Sequence, residues 1–460
     1  FNISKRQTDV LKQVLNLNVN PDQQSIKDAT EEFKILVLDQ FNKDIVAPLL
    51  RVNDLREFGV TLHLQLESDR QPVPGVSAVY IIQPTEATIQ RLSKDISEGL
   101  YESYYINFTT SAPSKFLEVL ATDLVRSNSV HRVAKIHDQY INFISLEPSL
   151  FHLAQPKVYT RLNSHLTQEA EIQSTVNAVV DGLFSVFATL GEAPEIRFPR
   201  RGVAEKIAQD LYTRIRDNLR APNSLFLSSS AASVIGGVGG NDGPLTLCLL
   251  DRNFDLAAAL QHSWTYKPLV HDLLGMKLNR VTVHATGSGE HSTAAVTRPL
   301  DVDDHDWFWQ HCGAKPFPEV AEEADKQLQS YRAAVEEINR QTAGGGNGSG
   351  SGSGGATGAL EGSFDPDAQM KRSAQGLRAA VSSLPALQEK KKIIDKHMSI
   401  ATALLTAIKA RGIDQLQSTE EEVLAAPGSV NFDAAAKLIL TGKGTVADKL
   451  RLAAVCLLVA

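Results

Sequence analysis

Several groups of residues have types and spacing that could do chemistry. Asp251, Arg252 and Asp255 lie in LCLLDRNFDL, residues 247–256, where an apolar run stops abruptly. Functional groups in α/β proteins gather where strands end, so this set is either an active site or a joint in a scaffold. HDWFWQHC brings His305, His311 and Cys312 close together. Zinc needs four ligands, or three and a water, and no fourth partner stands near, so this segment reads as a partly exposed, aromatic-rich helix. His262 and His271 are nine residues apart, share a helix side only loosely, and have no carboxylate triplet beside them. LILTGKGT contains Gly442-Lys443-Gly444, but Lys437 stands where a phosphate-binding loop needs its first glycine. The glycine-rich GGVGGND, residues 236–242, precedes a strand instead of joining strand to helix. No G-x-S-x-G elbow and no Cys–His pairing is evident. With no nucleophile, base and oxyanion donor in one constellation, the reading is a protein without enzymatic activity, metal or cofactor.

The elements that would position any site are those of an ordinary globular chain. It has 460 residues, 43% hydrophobic and 22% charged, which suggests about three domains. A net charge of −7 argues against nucleic-acid binding as the main role. Cys248, Cys312 and Cys456 are far apart, and two sit in apolar runs; reduced thiols in the cytosol are the simplest reading. No run approaches the ~20 apolar residues of a membrane span. The chain opens on Phe1 and breaks off within AAVCLLVA, so the expectation is a fragment whose missing C-terminal region completes its second domain.

SKRQTDVLKQVLNLN reads as an opening helix. FKILVLDQ, VTLHLQL, AVYIIQP, YYINFTT and INFISLEP then alternate with helix-like segments to about residue 150. That pattern predicts a parallel sheet covered on both faces, a first domain over 1–152. Two amphipathic helices and two short strands make half of a second α/β unit over 153–262. Residues 263–460 read as mostly helical. Val320, Ala324, Leu328, Tyr331, Val335 and Ile338 recur at three and four, as do Met370, Ala374, Leu377 and Val381, then Ile394, Met398, Ala401, Leu405 and Ile408. Such stripes suit helices packed in a hairpin or bundle. The Gly/Ser tract within 343–362 predicts a flexible loop; whether it is native or a linker stays open. Lys390-Lys391-Lys392 is either a solvated helix face or an electrostatic lane for an acidic partner helix.

LCLLDRNFDLAAALQHSWTYKPLVHDLLGMKLNRV, together with LYESYYINF, VAKIHDQYINFISLEPSLF, SVFATLGEAPEIRFPR, FWQHCGAKPFPEVAEEADKQLQSYR and AVSSLPALQEKKKIIDKHMSIATALL, resembles the Sec-one/Munc-eighteen (SM) family, in its Sly branch. The likeness runs through almost the whole chain, with segments in family order. It departs at Ala259, where proline is usual, and at Lys267, where glutamine is common. It implies an arch of two α/β, Rossmann-like domains and a largely helical third. It also implies no enzymatic activity and the regulation of SNARE assembly for vesicle docking and fusion between endoplasmic reticulum and Golgi. Implied partners are a syntaxin-five-type Qa-SNARE, other SNAREs of the bundle, and Rab or tether factors; the implied place is the cytoplasm, peripheral to ER and Golgi membranes through the SNAREs. Asp251, Arg252 and Asp255 then become a structural signature, with Asp251 ending a buried strand and capping the next turn, and Arg252 pairing with Asp255.

By the same resemblance, the Qa-SNARE N-terminal peptide places an aromatic ring in a pocket between two helices of the first domain. Leu117, Leu120 and Ala121 would come from one helix, Val133 and Ile136 from the other, and each set has the spacing of one helix face. Burying one phenylalanine contributes about 1.5–3 kcal/mol, so polar and backbone contacts must add the rest. The third-domain hairpin resembles a template for SNARE helices, with Leu328, Tyr331, Val335, Ile394, Met398 and Leu405 as its candidate surface. In the Sly branch a loop of this domain resembles a lid over the template, and the Gly/Ser tract here is too flexible to form a strong lid by itself. The rival readings are a vacuolar or endosomal member acting in a tethering complex, an α/β enzyme with a scattered site, and a passive scaffold.

Overall fold

A computed structural model describes residues 2–19, 33–226, 245–285, 296–303, 306–343, 366–425 and 432–459. His305, the 236–242 stretch, the Gly/Ser tract beyond Ala343 and the side chains of Met370, Ala374, Leu377 and Val381 lie outside the described residues. The chain divides into two compact units, Phe1–Leu256 and Ala257–Ala460.

The first unit is built on a five-stranded sheet of order β2-β1-β3-β4-β5: β1 Lys34–Leu38, β2 Val60–Gln65, β3 Ser77–Ile82, β4 Tyr104–Phe108 and β5 Val133–Asp138. Every pairing is parallel. All five residues of β1 are buried, as a parallel strand covered on both faces requires. The helices of this unit are α1 Ile3–Leu15, α2 Gln40–Val46, α3 Val52–Glu57, α4 Glu86–Glu98, α5 Ser114–Arg126, α6 Val158–Asn163, α7 Glu169–Leu190 and α8 Val203–Leu219. Thr85 caps α4 with a reciprocal Thr88 bond, and Gly99 ends it at φ 69°, the left-handed turn that glycine adopts without strain. On one sheet face, Ile89, Leu92 and Ile96 of α4 and Leu120 and Leu124 of α5 pack against Tyr80, Tyr104, Ile106 and Phe108. On the other, α1 is tied down by polar bonds. Buried Gln7 donates to the Ile141 and Phe143 carbonyls at 3.2 and 2.7 Å. The buried Lys34 ammonium donates to the Leu15 and Phe58 carbonyls, the ends of α1 and α3, at 3.1 and 3.2 Å.

Two sequence expectations change here. INFISLEP does not extend the main sheet; β6 Ile144–Glu147 pairs antiparallel with β7 Leu150–His152. The fifth place in the sheet goes to Val133–Asp138, which the i, i+3 spacing had assigned to a helix. Beyond residue 153, β8 Glu195–Arg197 and β9 Thr246–Cys248 form a two-stranded parallel pair over the core of α7 and α8. β9 is not the buried strand expected: Thr246 and Cys248 are exposed.

The second unit contains α9 Tyr266–Leu269, a π-helical turn over Val270–Gly275, a three-stranded sheet of β10 Met276–Lys277, β11 Arg280–Ala285 and β12 Val296–Asp301, then α10 Trp307–Cys312, α11 Phe317–Ala343, α12 Pro366–Arg411, α13 Ile413–Ala425, α14 Phe432–Thr441 and α15 Val446–Val459. Its core joins Tyr266, Phe308, Trp309, Ile400, Leu404, Leu452 and Val455. The WFWQHC helix buries Phe308, Trp309 and Cys312 and exposes Gln310 and His311, the partly exposed, aromatic-rich helix expected.

Two buried polar networks hold this core. Asp306 caps α10 through the Trp309 amide at 3.0 Å and accepts from His397 Nε2 at 2.9 Å, while Tyr266 Oη lies 2.9 Å from His397 Nδ1. The Lys396 ammonium pairs with Asp306 at 2.5 Å. Burial alone would raise the Asp306 carboxyl; the His397, Lys396 and Trp309 donors outweigh it and hold it at about 2. Burial pushes His397 below its ordinary 6.5, consistent with a neutral ring that donates to Asp306 and accepts from Tyr266. In the second network, His262 sits between Glu420 at 2.8 Å and Asp448 at 3.3 Å, and Arg411 holds Asp448 at 2.5 Å. These are carboxylates from 158 and 186 residues away, beyond any local reading of the His262–His271 spacing.

The unfolded His397 gains its proton near 6.5 while the folded one resists it, so this stability is present above 6.5 and lost as pH falls. Asp306 adds a loss below 3.8, complete near 2. Urea unfolding should show a midpoint that declines from about pH 7 to 5, and His397→Gln should flatten that slope. Asp306→Asn should cost about 3–5 kcal/mol at neutral pH by orphaning buried partners.

Candidate functional site: a helix–edge-strand surface and a helical hairpin

The α5 sequence places Leu117, Leu120, Ala121 and Leu124 on one face, at i, i+3, i+4 and i+7. The structure turns that face toward the sheet. Leu120 is only 2% exposed and belongs to the core, Leu117 packs half-buried at its margin, and Ala121 is exposed. Val133 and Ile136 are on β5, not on a second helix, so the helix–helix pocket is corrected to a helix–strand surface.

In a regular strand, residues three apart point to opposite faces. Here the register of β5 shifts between Val133 and Lys135: Val133 pairs with Tyr104, Lys135 with Tyr105 and Ile136 with Ile106. Ala134 is thus an extra residue, a bulge. Tyr104 and Ile106 lie two apart and both face the α5 side, so Val133 and Ile136 do as well. Val133 packs against the same core as Leu117, whereas Ile136 is 44% exposed. The five predicted residues therefore share one side of the sheet, graded from sealed (Leu120) to open (Ala121, Ile136). On the opposite face, Lys135 reaches the Leu17 carbonyl at 3.4 Å, and Gln139 and Asn18 meet at Asn107.

Asp138 closes the apolar strip at the C-terminal end of β5, and its carboxylate accepts from the Ala112 amide at 3.3 Å. Burial raises this carboxyl above its ordinary value. In the sequence, the signal for Asp138 is an acid at the very end of a β-rich run. β5 is the last strand of the sheet and pairs only with β4, so its outer edge has no strand partner among the described residues.

The hairpin candidates fall on α11 and α12, which pack against each other. Leu328, Tyr331 and Val335 are half-buried along α11. On α12, Ile394 is sealed in the core, while Met398 and Leu405 are 40% and 44% exposed. Met398 borders an apolar groove of about 640 Å³, with Leu273 and Leu274 of the π-helical turn opposite Ala403 and Ala407 of α12. Only part of the predicted stripe is therefore available to a partner. Among the described residues no group of three or more His, Cys, Asp or Glu could hold a metal ion, and no helix is long and apolar enough to cross a membrane.

Asp251 is a cap, but of a different helix from the one expected. Its Oδ1 accepts from the Ala204 amide at 3.2 Å, at the start of α8, and the following 3₁₀ turn, Arg252–Phe254, receives no side-chain cap bond. The fit is close: a Cβ on Gly202 would stand 2.3 Å from Asp251 Oδ2. Arg252 and Asp255 meet through the backbone, the Asp255 amide donating to the Arg252 carbonyl at 3.3 Å. Both side chains are exposed.

A parallel sheet with an open edge strand, followed by a long helical hairpin, fits the class suggested by the segments in family order. The Sec1 family model matches residues 34–460, and the chain belongs to the Sec1 family. Within that family its likeness is to Sly relatives. It is 41% identical over 457 residues to the SEC1 family transport protein SLY1 of Arabidopsis thaliana, covering 98% of this chain and 68% of that protein. It is 40% identical over 465 residues to Sec1 family domain-containing protein 1 of Homo sapiens, covering 98% and 69%. The crystal structure of Sly1p in complex with an N-terminal peptide of Sed5p is similar over the whole chain and 68% of Sly1p, with a TM-score of 0.75 at 28% identity. The SM protein Vps45 in complex with the Qa SNARE Tlg2 shares the fold, with a TM-score of 0.74 at 18% identity, over the whole chain and 70% of Vps45.

Removing the α8 cap with Asp251→Ala should cost about 1 kcal/mol. Gly202→Ala should cost at least as much, because the new methyl displaces the same carboxylate. Thermal unfolding of the two variants and their double mutant checks this, the double being no worse than the sum.

Proposed function

We propose that this chain is a SNARE regulator of vesicle docking and fusion in ER–Golgi transport. It binds the N-terminal peptide of a syntaxin-five-type Qa-SNARE on the α5–β5 surface and SNARE helices along the α11–α12 hairpin. The observation that carries this reading is the bulged register of β5, which turns Val133 and Ile136 to the side lined by Leu117, Leu120 and Ala121. The likeness to Sly1p, solved with an N-terminal peptide of Sed5p, supports it.

The physical logic is recognition without bond breaking. An aromatic side chain from the peptide covers Ile136, Ala121 and the margin of Leu117, burying apolar area worth about 1.5–3 kcal/mol. Backbone and charged contacts along the β5 edge and at Asp138 add affinity. On the hairpin, Met398 and Leu405 offer apolar area to a SNARE helix, and holding two helices in register reduces the entropy cost of zippering. The division into 1–152, 153–262 and 263–460 assigns the peptide surface to the first domain and the hairpin to the third. Such a protein works in the cytoplasm and reaches ER and Golgi membranes through its SNAREs, with Rab and tether factors as further partners.

Because Leu120 is core, Leu120→Lys should unfold the unit as well as block the peptide, so exposed positions give the cleaner test. In calorimetry with a Qa-SNARE N-terminal peptide, Ile136→Asp should weaken binding about tenfold or more at unchanged melting temperature. Val119→Asp, on the opposite side of α5, should bind as the parent does. Equal binding by Ile136→Asp would remove the surface from consideration. In a liposome SNARE-assembly assay, Met398→Asp with Leu405→Asp should slow zippering while leaving peptide affinity intact.

A further inference from the structure

Gly442-Lys443-Gly444 fails as a phosphate-binding loop because Lys437 replaces its first glycine. The fold nevertheless brings these two lysines to one place. Lys437 on α14, Lys443 on the turn after it and Lys409 near the end of α12 line a single cavity of about 1050 Å³, whose opposite wall is α13 with Gln415 and Ser418. Among the described residues Asp414 is the one acid in the lining, so three cations face one anion in a chain whose net charge is −7. Among the described residues none of the three ammonium groups has a carboxylate partner, and neither the Gln415 amide nor the Ser418 hydroxyl is bonded to protein.

Cationic side chains on three separate elements, left uncompensated around one concave site, match a ligand with negative charge at several points. Neutral donors between them match hydroxyls. The cavity is open to solvent on one side and wide enough to seat a small molecule. Lysine meets phosphate as a compact point charge with three donors. We propose that this cavity binds a polyphosphorylated polyol of the inositol phosphate type. The ligand is either a free metabolite or the headgroup of a lipid. Leu440 and Val446, 79% and 75% exposed, bracket the Lys443 turn in sequence; a lipid source would let such side chains enter the acyl boundary.

The test has two arms, each run on the full chain. Inositol hexakisphosphate is titrated by calorimetry, and phosphatidylcholine vesicles with and without phosphatidylinositol bisphosphate are assayed by flotation. Lys437→Gln with Lys443→Gln, both exposed positions, should lower affinity about tenfold or more. Lys43→Gln with Lys94→Gln, carrying the same change of net charge elsewhere, should leave it unchanged. Loss in both arms identifies a membrane lipid; loss in the soluble arm alone identifies a free inositol phosphate. No binding in either arm, or equal weakening by both lysine pairs, overturns the proposal.

Discussion

The pairing of β5 with β4 admits one extra residue, Ala134, and the character of the α5–β5 surface follows from that insertion. Parallel pairing obliges side chains to alternate, and strict alternation would have put Val133 and Ile136 on opposite faces. The bulge restores them to one side. It also disturbs the ladder at the outer edge of the sheet, and Lys135 adds a charge beside it. Both are devices that discourage indiscriminate strand addition. On the proposed reading, the edge is selective: an incoming peptide would have to satisfy an irregular backbone and a half-open apolar strip together.

The helical unit answers a different constraint. Its long helices contribute stripes that are only partly consumed by their own packing, as the contrast between Ile394 and Met398 shows. What keeps such elements in one arrangement is a small number of buried ion pairs and hydrogen bonds made between distant segments. His397 joins α12 to Asp306 and to Tyr266; His262 joins the chain near residue 260 to α13 and α15. Such pairs tie distant segments into one arrangement, which suits the proposed role of the hairpin as a surface of fixed spacing for helical partners.

Much of this architecture could be read from residue order. The apolar ILVL and AVYII segments announce a parallel sheet, and the three-and-four recurrence from Val320 to Ile338 announces α11. The family-order segments carried the functional reading. What escaped was whatever depends on register or long range. Val133 and Ile136 mimicked a helical period because a bulge added one residue to a period of two. Asp251 was expected to cap the next turn, but its recipient, Ala204, lies 47 residues earlier. In the WFWQHC helix, polar Gln310 and His311 marked the exposed side, but nothing local marked the stacking of Phe308 on His397 of α12. β9 looked buried from its leucines, but its only strand partner among the described residues is β8.

The unequal placement of the cysteines has a practical side. Cys312 and Cys456 are enclosed in the helical unit, where burial raises both thiols above their ordinary value. Cys248 alone is open to solvent, on β9, three residues before the carboxylate that caps α8. A maleimide fluorophore would therefore attach at a single native position, and the chain carries its own address for spectroscopy without an engineered handle.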